Sequence, residues 1–314
     1  GVYRPGTHSV LPAQHCEVHD PLLHPILSAL PALADELLIP IFDERTRQGD
    51  LRYALARASR LTGKVHLTLV CATDASPQVR ALVARLKKRH RELEAAFVCV
   101  NPTPGNTLLS DRIQPLFGPS VLVERFGRLH LESRPNAFVQ ANVEVATRIY
   151  ATAPKWLGPR GGEQVLDIYC GVGGLGLAVA DAAGGTVLGV ELSNAAVQCA
   201  EANSRRVKQF RARYVAASAE DLGSLVADLP QPPSGRFVIV NPPRRGLTLP
   251  VIDAVAGLNP DAMLYVSCNP ESLARDLDLL GERGLRTERA QAFDMLPQTP
   301  HVEAMALLRP SPVI

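Results

Sequence analysis

The feature that most limits the fold is a short apolar stretch, residues 164–169, broken off by Cys170-Gly171-Val172-Gly173-Gly174-Leu175-Gly176. Glycines at a strand end let the backbone turn sharply, so that a ligand can approach the N-terminus of the following helix. Read literally, the stretch is G-x-G-x-x-G, and Glu191 stands 20 residues after Gly171, at the end of the next apolar run. An acid in that place suits a ribose diol. Both a nicotinamide dinucleotide and S-adenosylmethionine present such a diol, so the motif alone does not choose the cofactor.

From about residue 140 onward, short apolar runs alternate with helical stretches. Residues 164–169, 186–191, 237–241, 262–267 and 304–309 read as strands, with helices starting at Leu175 and Asn194. This alternation predicts a parallel, doubly wound α/β sheet. The earlier part is mixed, with helices over 22–38 and 77–94 and strands over 51–60, 65–71 and 96–100, which suggests a small α+β domain. Residues 1–20, rich in His, Pro and Gly, form a leading segment. The expected division is therefore 1–20, 21–125 and 126–314, and residues 229–235 read as a surface loop.

With 46% hydrophobic and 20% charged residues the chain is globular, and 5% aromatics leave the core to Leu, Val and Ala. No run of 18 apolar residues exists, which excludes a transmembrane helix, and residues 1–20 lack the apolar core of a signal peptide. A cytoplasmic, monomeric protein is expected. Its six cysteines are scattered without a CxxC, so each reads as core, ligand or nucleophile.

Three further segments carry chemistry. In Val240-Asn241-Pro242-Pro243-Arg244-Arg245-Gly246, the asparagine ends a strand and two prolines fix the backbone behind it. The segment resembles the [DN]-P-P-x of methyltransferases, whose last position is usually aromatic in enzymes that methylate amide or exocyclic nitrogens; here it is Arg244, which speaks against that chemistry. Ser267-Cys268-Asn269-Pro270 also ends a strand. A lone cysteine is more often a small buried hydrophobe than a nucleophile. Its place at a helix start, where free N–H groups and the helix dipole favour a thiolate, argues the other way. In Asp294-Met295-Leu296-Pro297 through Glu303, the residues themselves read as an exposed loop, with His301 and Glu303 a solvated pair.

Taken together, these segments resemble the RNA 5-methyluridine methyltransferase family over almost the whole chain. Ser267-Cys268-Asn269-Pro270 continues into Leu273-Ala274-Arg275-Asp276, and Arg134-Pro135-Asn136-Ala137-Phe138-Val139-Gln140-Ala141-Asn142 looks like that family's R-P-x-x-F-x-Q-x-N element. The resemblance implies a Rossmann-like class I methyltransferase domain behind a smaller N-terminal α+β domain, with S-adenosylmethionine as cofactor and RNA as partner. It implies that Cys268 adds to C6 of uracil and that Glu303 accepts the C5 proton. Gln140, Tyr169, Gly171, Gly173, Glu191 and Asn241 would contact the cofactor, with Ser218, or Glu220 in its place, near adenine. Many relatives carry Asp where this chain has Asn241. Asn-Pro-Pro-Arg-Arg-Gly also occurs in the ribosomal branch, which favours 23S ribosomal RNA over transfer RNA; the alternatives are a transfer-RNA uracil-C5 methyltransferase or, in a different class, an NAD-dependent oxidoreductase.

Several members of that family hold a [4Fe–4S] cluster. Gln14-His15-Cys16-Glu17-Val18 looks like the context of its fourth ligand, but no C-x5-C-x2-C is present and one cysteine cannot hold a cluster. Either a longer form has the cluster, or this lineage has dispensed with it; on the chain as given no metal is expected. Arg45, Arg47, Arg52, Arg57, Arg60, Lys64, Arg80, Arg85, Lys87, Lys88, Arg89 and Arg91 crowd one region of a chain whose net charge is only +2. Such clustering suits phosphate contacts.

Overall fold

The structure is a computed structural model, which describes the chain except residues 5, 8, 14–15, 104–107, 208–210, 228, 230–231 and 313–314. Gln14, His15 and parts of the 229–235 loop thus lie outside the described residues. The contacts divide the chain into two units, Gly1–Glu124 with Arg134–Asn136, and Arg125–Ser133 with Ala137–Ile314.

The first unit opens with a two-stranded ribbon, β1 (Val2–Tyr3) and β2 (Val10–Leu11), followed by helix α1 (His24–Glu36). Strands β3 (Leu51–Ser59) and β4 (Lys64–Cys71), helix α2 (Pro77–Arg89), and strands β5 (Leu93–Val100) and β6 (Ile113–Phe117) complete it. The sheet runs β3-β4-β5-β6, with only β4 and β5 parallel. Val79, Leu82, Val83 and Leu86, at i, i+3, i+4 and i+7 on α2, pack with Leu67, Leu69 and Val98 of the strands.

Helix α2 starts where Ser76 accepts a hydrogen bond from the Val79 N–H and Pro77 takes the first turn. It stops at Arg89, five residues short of the predicted end. The cations Lys87, Lys88 and Arg89 fill its last turn, where they complement the helix dipole, and His90 turns to extended backbone.

Between and beyond the division come β7 (Leu122–Phe126), β8 (Leu129–Ser133) and helix α3 (Val143–Leu157). Strand–helix units follow: β9 (Gln164–Ile168), α4 (Gly174–Ala183), β10 (Thr186–Glu191), α5 (Asn194–Ser204) and β11 (Arg211–Ala216). The last are α6 (Leu222–Val226), β12 (Arg236–Val240), α7 (Leu249–Gly257), β13 (Ala262–Ser267), α8 (Pro270–Gly281), β14 (Leu285–Phe293) and β15 (Glu303–Pro310).

The second unit's sheet has the order β11-β10-β9-β12-β13-β15-β14. Its first five strands are parallel, as the alternation predicts, while β15 runs antiparallel to both β13 and β14. Nine residues join β14 to β15, too few for a crossover helix, and a short return must be antiparallel. Alternate residues feed opposite faces: Phe237 and Ile239 of β12 join α3 and α4, whereas Val238 and Val240 join α7 and α8. The strand order reverses between β9 and β12, and at such a switch point a crevice opens beyond the carboxyl ends of the strands. Among the described residues, no helix is long and apolar enough to cross a membrane.

Candidate functional site

The crevice is lined first by the turn from β9 into α4. Tyr169, Gly171 and Gly173 take positive φ angles of 62°, 54° and 83°. Such backbone is unusual for a tyrosine. Asp167, the last-but-one residue of β9, is 1% exposed and its Oδ2 accepts the Gly176 N–H at 2.9 Å. A side chain at Gly176 would put its Cβ 2.4 Å from that same oxygen, so the fourth glycine of the motif is required by close approach rather than by its dihedral angles. Burial pushes the Asp167 carboxyl up to about 7, an effect strengthened by the Glu191 charge and opposed by the Gly176 hydrogen bond.

Glu191 ends β10. One of its carboxylate oxygens accepts the Gly171 N–H at 3.0 Å and the other accepts the Ser193 N–H at 2.9 Å. Each oxygen has a second lone pair, so a half-buried carboxylate held this way retains acceptor capacity for a pair of hydroxyls. The predicted Ser218 follows β11, whose Ala216 pairs with Glu191. Its hydroxyl donates to Glu220, which also meets Thr248 and Arg245 at 3.5 Å. Hydrogen bonds to Ser218 hold the Glu220 carboxyl below its usual range.

Residues 137–142 run alongside the glycine turn, with the Phe138 carbonyl 3.7 Å from where a Cβ on Gly171 would lie. Phe138 itself is 67% exposed and Gln140 is half-buried. Asn142 caps α3 by accepting from the Val145 N–H, and its amide donates to the Met295 carbonyl at 3.2 Å. The element thereby connects the glycine turn to the segment leading to Glu303.

Asn241 continues β12, its N–H donating to the Ile168 carbonyl at 3.3 Å. Cys268 follows β13 and Asn269 caps α8, accepting from the Glu271 N–H. Ser267, the last residue of β13, pairs with Ala304, so Cys268 and Glu303 are the next residues beyond that pair and lie near enough for the Glu303 charge to act on the thiol. The Arg244 guanidinium lies close enough to Cys268 for its charge to favour the thiolate, and is 3.3 Å from the His301 Nδ1.

Two expectations are overturned by this geometry. Glu303 is not an exposed loop carboxylate: as the first residue of β15 it is 4% exposed, and burial pushes its carboxyl up to about 7. Nor is Cys268 poised as a thiolate. Burial and the Glu303 charge raise its thiol above the usual range, outweighing the Arg244 guanidinium and the local backbone. Burial is the larger effect, and the nearby Glu303 adds to it.

Tyr169, Gly171, Gly173, Glu191, Ser218, Asn241, Cys268 and Glu303 thus converge on one edge of one sheet, with Gln140 on the segment beside it. Cys16 lies in the first unit, half-buried, its carbonyl 3.2 Å from the His24 ring. Among the described residues, no group of three or more His, Cys, Asp or Glu is placed to hold a metal ion. The basic cluster is also revised. The Arg52 side chain is 1% exposed, bound to Glu44 and to the Asn101 carbonyl and stacked over Phe42, so its charge serves the fold. Arg60 pairs with Asp20 and Arg85 with Glu36, whereas Lys88, Arg89 and Arg91 face solvent.

The motif reading did not single out Asp167 or Asp276 as functional candidates; their one signal was an acid inside or just behind a motif. Tyr214 was missed too. It fills the space that Gly173 and Gly189 leave beneath the glycine turn, and its buried hydroxyl has no hydrogen-bond partner among the described residues.

A family model described as tRNA (Uracil-5-)-methyltransferase matches residues 59–310. An uncharacterized RNA methyltransferase of Geobacter sulfurreducens is 35% identical over 309 residues, covering 98% of this chain and 62% of that protein. One from Thermosynechococcus vestitus is 34% identical over 313 residues, covering 99% and 68%. The chain therefore spans about two thirds of the length of these relatives. Among solved structures, the Pyrococcus abyssi tRNA (uracil-54, C5)-methyltransferase in complex with S-adenosyl-L-homocysteine matches with a TM-score of 0.72 and 26% identity, covering 96% of this chain and 70% of that one. The Pyrococcus horikoshii TYW2 structure in complex with MeSAdo, at 14% identity and a TM-score of 0.50, covers 89% and 98% and speaks to the fold alone.

Proposed function

Because the chain belongs to the tRNA (uracil-5-)-methyltransferase family and has the class I methyltransferase fold, we propose that it methylates C5 of a uridine in RNA through a covalent bond between Cys268 and C6. The observation that carries this is a neighbouring pair, a half-buried thiol just past β13 and a buried carboxylate that opens the adjacent β15, at the sheet edge that also bears the glycine turn and Glu191. A nicotinamide oxidoreductase, which the glycine turn alone would permit, has no use for that pair.

The residues of the crevice fit S-adenosylmethionine. Glu191 would hold the ribose hydroxyls, the Gly171–Gly173 backbone would line the amino-acid end, and Gln140, Tyr169 and Asn241 would flank the sulfonium, with Ser218 toward adenine. When bound, the cofactor supplies an electrophilic methyl group. C5 of uracil is a poor nucleophile until C6 is saturated. The Cys268 thiolate adds to C6, which pushes the C5–C6 electron pair toward C5 and O4, and C5 then takes the methyl as its bond to the sulfonium sulfur breaks and S-adenosylhomocysteine is left. Glu303 removes the proton remaining on C5, the C6–S bond breaks, and the Cys268 thiolate is restored. Covalent catalysis replaces one difficult step with several easier ones.

Both groups must be deprotonated at the start, and both are shifted upward. The rate should therefore climb with pH through about 7, as Glu303 ionises, and go on rising as more Cys268 thiolate forms. A profile of single-turnover methylation between pH 6 and 9 checks this; a plateau already reached at pH 6 would contradict it. The cofactor assignment predicts that S-adenosylhomocysteine binds and NADH does not, and that Glu191→Gln weakens the former by roughly tenfold, the cost of about 1.4 kcal/mol of hydrogen bonding. Calorimetric titration measures both.

For the substrate, Asn241-Pro242-Pro243-Arg244-Arg245-Gly246 favours ribosomal RNA, and exposed Lys88, Arg89 and Arg91 supply cations for phosphates. Transfer RNA is the second reading, since both the family model and the Pyrococcus structure carry tRNA in their names. In either, the base must be unstacked for a thiol to reach C6. Mapping 5-methyluridine in both RNA classes, with and without the protein, distinguishes them. A [4Fe–4S] cluster would need ligands other than Cys16, and iron in the purified chain would revise the metal-free reading.

A further inference from the structure

We propose that Asp276, although it does not face the crevice, is the positioning residue that locks the loop bearing Asn241 and Arg244 to the helix start bearing Cys268, a role that rests on the uracil-methylation reading. Asp276 lies on α8 and is 0% exposed. Its Oδ2 accepts from the Leu247 N–H at 2.7 Å and from the Tyr265 hydroxyl at 2.6 Å. Its Oδ1 accepts from Arg275 Nε at 2.8 Å and Nη2 at 2.6 Å. The same Nη2 reaches the carbonyls of Arg245 at 2.9 Å and Leu247 at 3.3 Å. One carboxylate therefore gathers the loop after β12, the middle of β13 and helix α8.

Asn269 closes the other end. Its amide donates to the Arg244 carbonyl at 2.9 Å, and its N–H donates to Ser267 Oγ at 3.1 Å. Arg244, whose charge favours the Cys268 thiolate and whose guanidinium meets His301, thus has its backbone tied down at its own carbonyl and at the next. The approach is so close that only glycine fits between: Gly246 has φ +78°, and a Cβ there would lie 2.4 Å from Asp276 Oδ2 and 2.6 Å from Arg275 Nη2. Apolar packing alone, such as Leu273 and Leu280 provide on the same helix, would hold α8 to the sheet without desolvating a charge. The carboxylate adds directional, charge-assisted hydrogen bonds, which set where the loop stands.

The test compares wild type with Asp276→Asn and Tyr265→Phe. Its readouts are kcat and KM for RNA methylation and the iodoacetamide alkylation rates of Cys268 and Cys16, resolved by mass spectrometry. Asp276→Asn turns an amide donor toward groups that are themselves donors. It should lower kcat about 30-fold with KM nearly unchanged, in line with the cost of an ångström-scale misplacement. Cys268 alkylation should slow about fivefold as the Arg244 guanidinium moves away from the thiol, while Cys16 alkylation holds. Tyr265→Phe removes one donor and should move both readouts in the same direction by a smaller factor. It carries the test alone if Asp276→Asn does not fold. Unchanged kcat and unchanged Cys268 alkylation in the folded variants would overturn the proposal. Should the wild type alkylate normally yet methylate no uridine, the reaction assignment falls, while the alkylation difference still decides whether Asp276 positions Cys268.

Discussion

Cys268→Ala is expected to lower methylation by roughly 10⁴-fold or more, the scale on which loss of a covalent nucleophile acts, while S-adenosylhomocysteine binds as before. The thiol lies beyond β13, whereas the groups assigned to the cofactor stand on the turns after β9, β11 and β12, at the end of β10 and on the segment before α3. Loss of one sulfur from a half-buried position leaves those turns intact, so binding and chemistry should separate. No route to C5 remains without addition at C6. Single-turnover transfer of a labelled methyl group to RNA measures the effect; residual turnover within about a hundredfold of wild type would rule out the covalent route.

The second large effect is of another kind. Glu303→Gln keeps the shape of the side chain but cannot take a proton, so addition and methyl transfer proceed and elimination stops. The protein should accumulate bound to RNA, seen as a shifted band under denaturing conditions, with turnover reduced about 10²–10⁴-fold. Stability should not confound the result. An unfolded Glu303 ionises near its ordinary value, whereas the folded one holds its proton up to about 7. The folded state is therefore favoured below the ordinary value, and that preference is lost as pH rises through about 7, by about 3 kcal/mol in all. At pH 8 the glutamine, which is never ionised, should melt no lower than the glutamate. Turnover without a detectable adduct would remove Glu303 from the role of base.

The site was legible because of where parallel strands end. β9, β10, β12 and β13 are short apolar runs, each cut off by a glycine, acid or amide, and a doubly wound sheet brings all such ends to one edge. What could not be read was anything set by a distant neighbour. The upward shift of the Cys268 thiol comes from burial and from Glu303, 35 residues away in sequence, while the helix-start argument sees only local backbone. The burial of Glu303 follows from β15 being an interior strand, placed there by pairing with both β13 and β14. Strand β14 gave no sign, because an edge strand exposed at seven successive positions shows no apolar alternation. Helix α2 overran because leucine spacing and a run of cations continue past the residue at which the backbone turns. Arg52 was counted toward RNA because composition cannot tell an arginine stacked on Phe42 from one in water.

The most direct test of uracil-C5 methylation uses total RNA from cells lacking the protein, purified protein and S-adenosylmethionine labelled in the methyl group, followed by digestion to nucleosides. The expected result is label in 5-methyluridine alone, absent when Cys268→Ala replaces the wild type. Label in any other nucleoside, or 5-methyluridine formed equally well by the alanine variant, would contradict it.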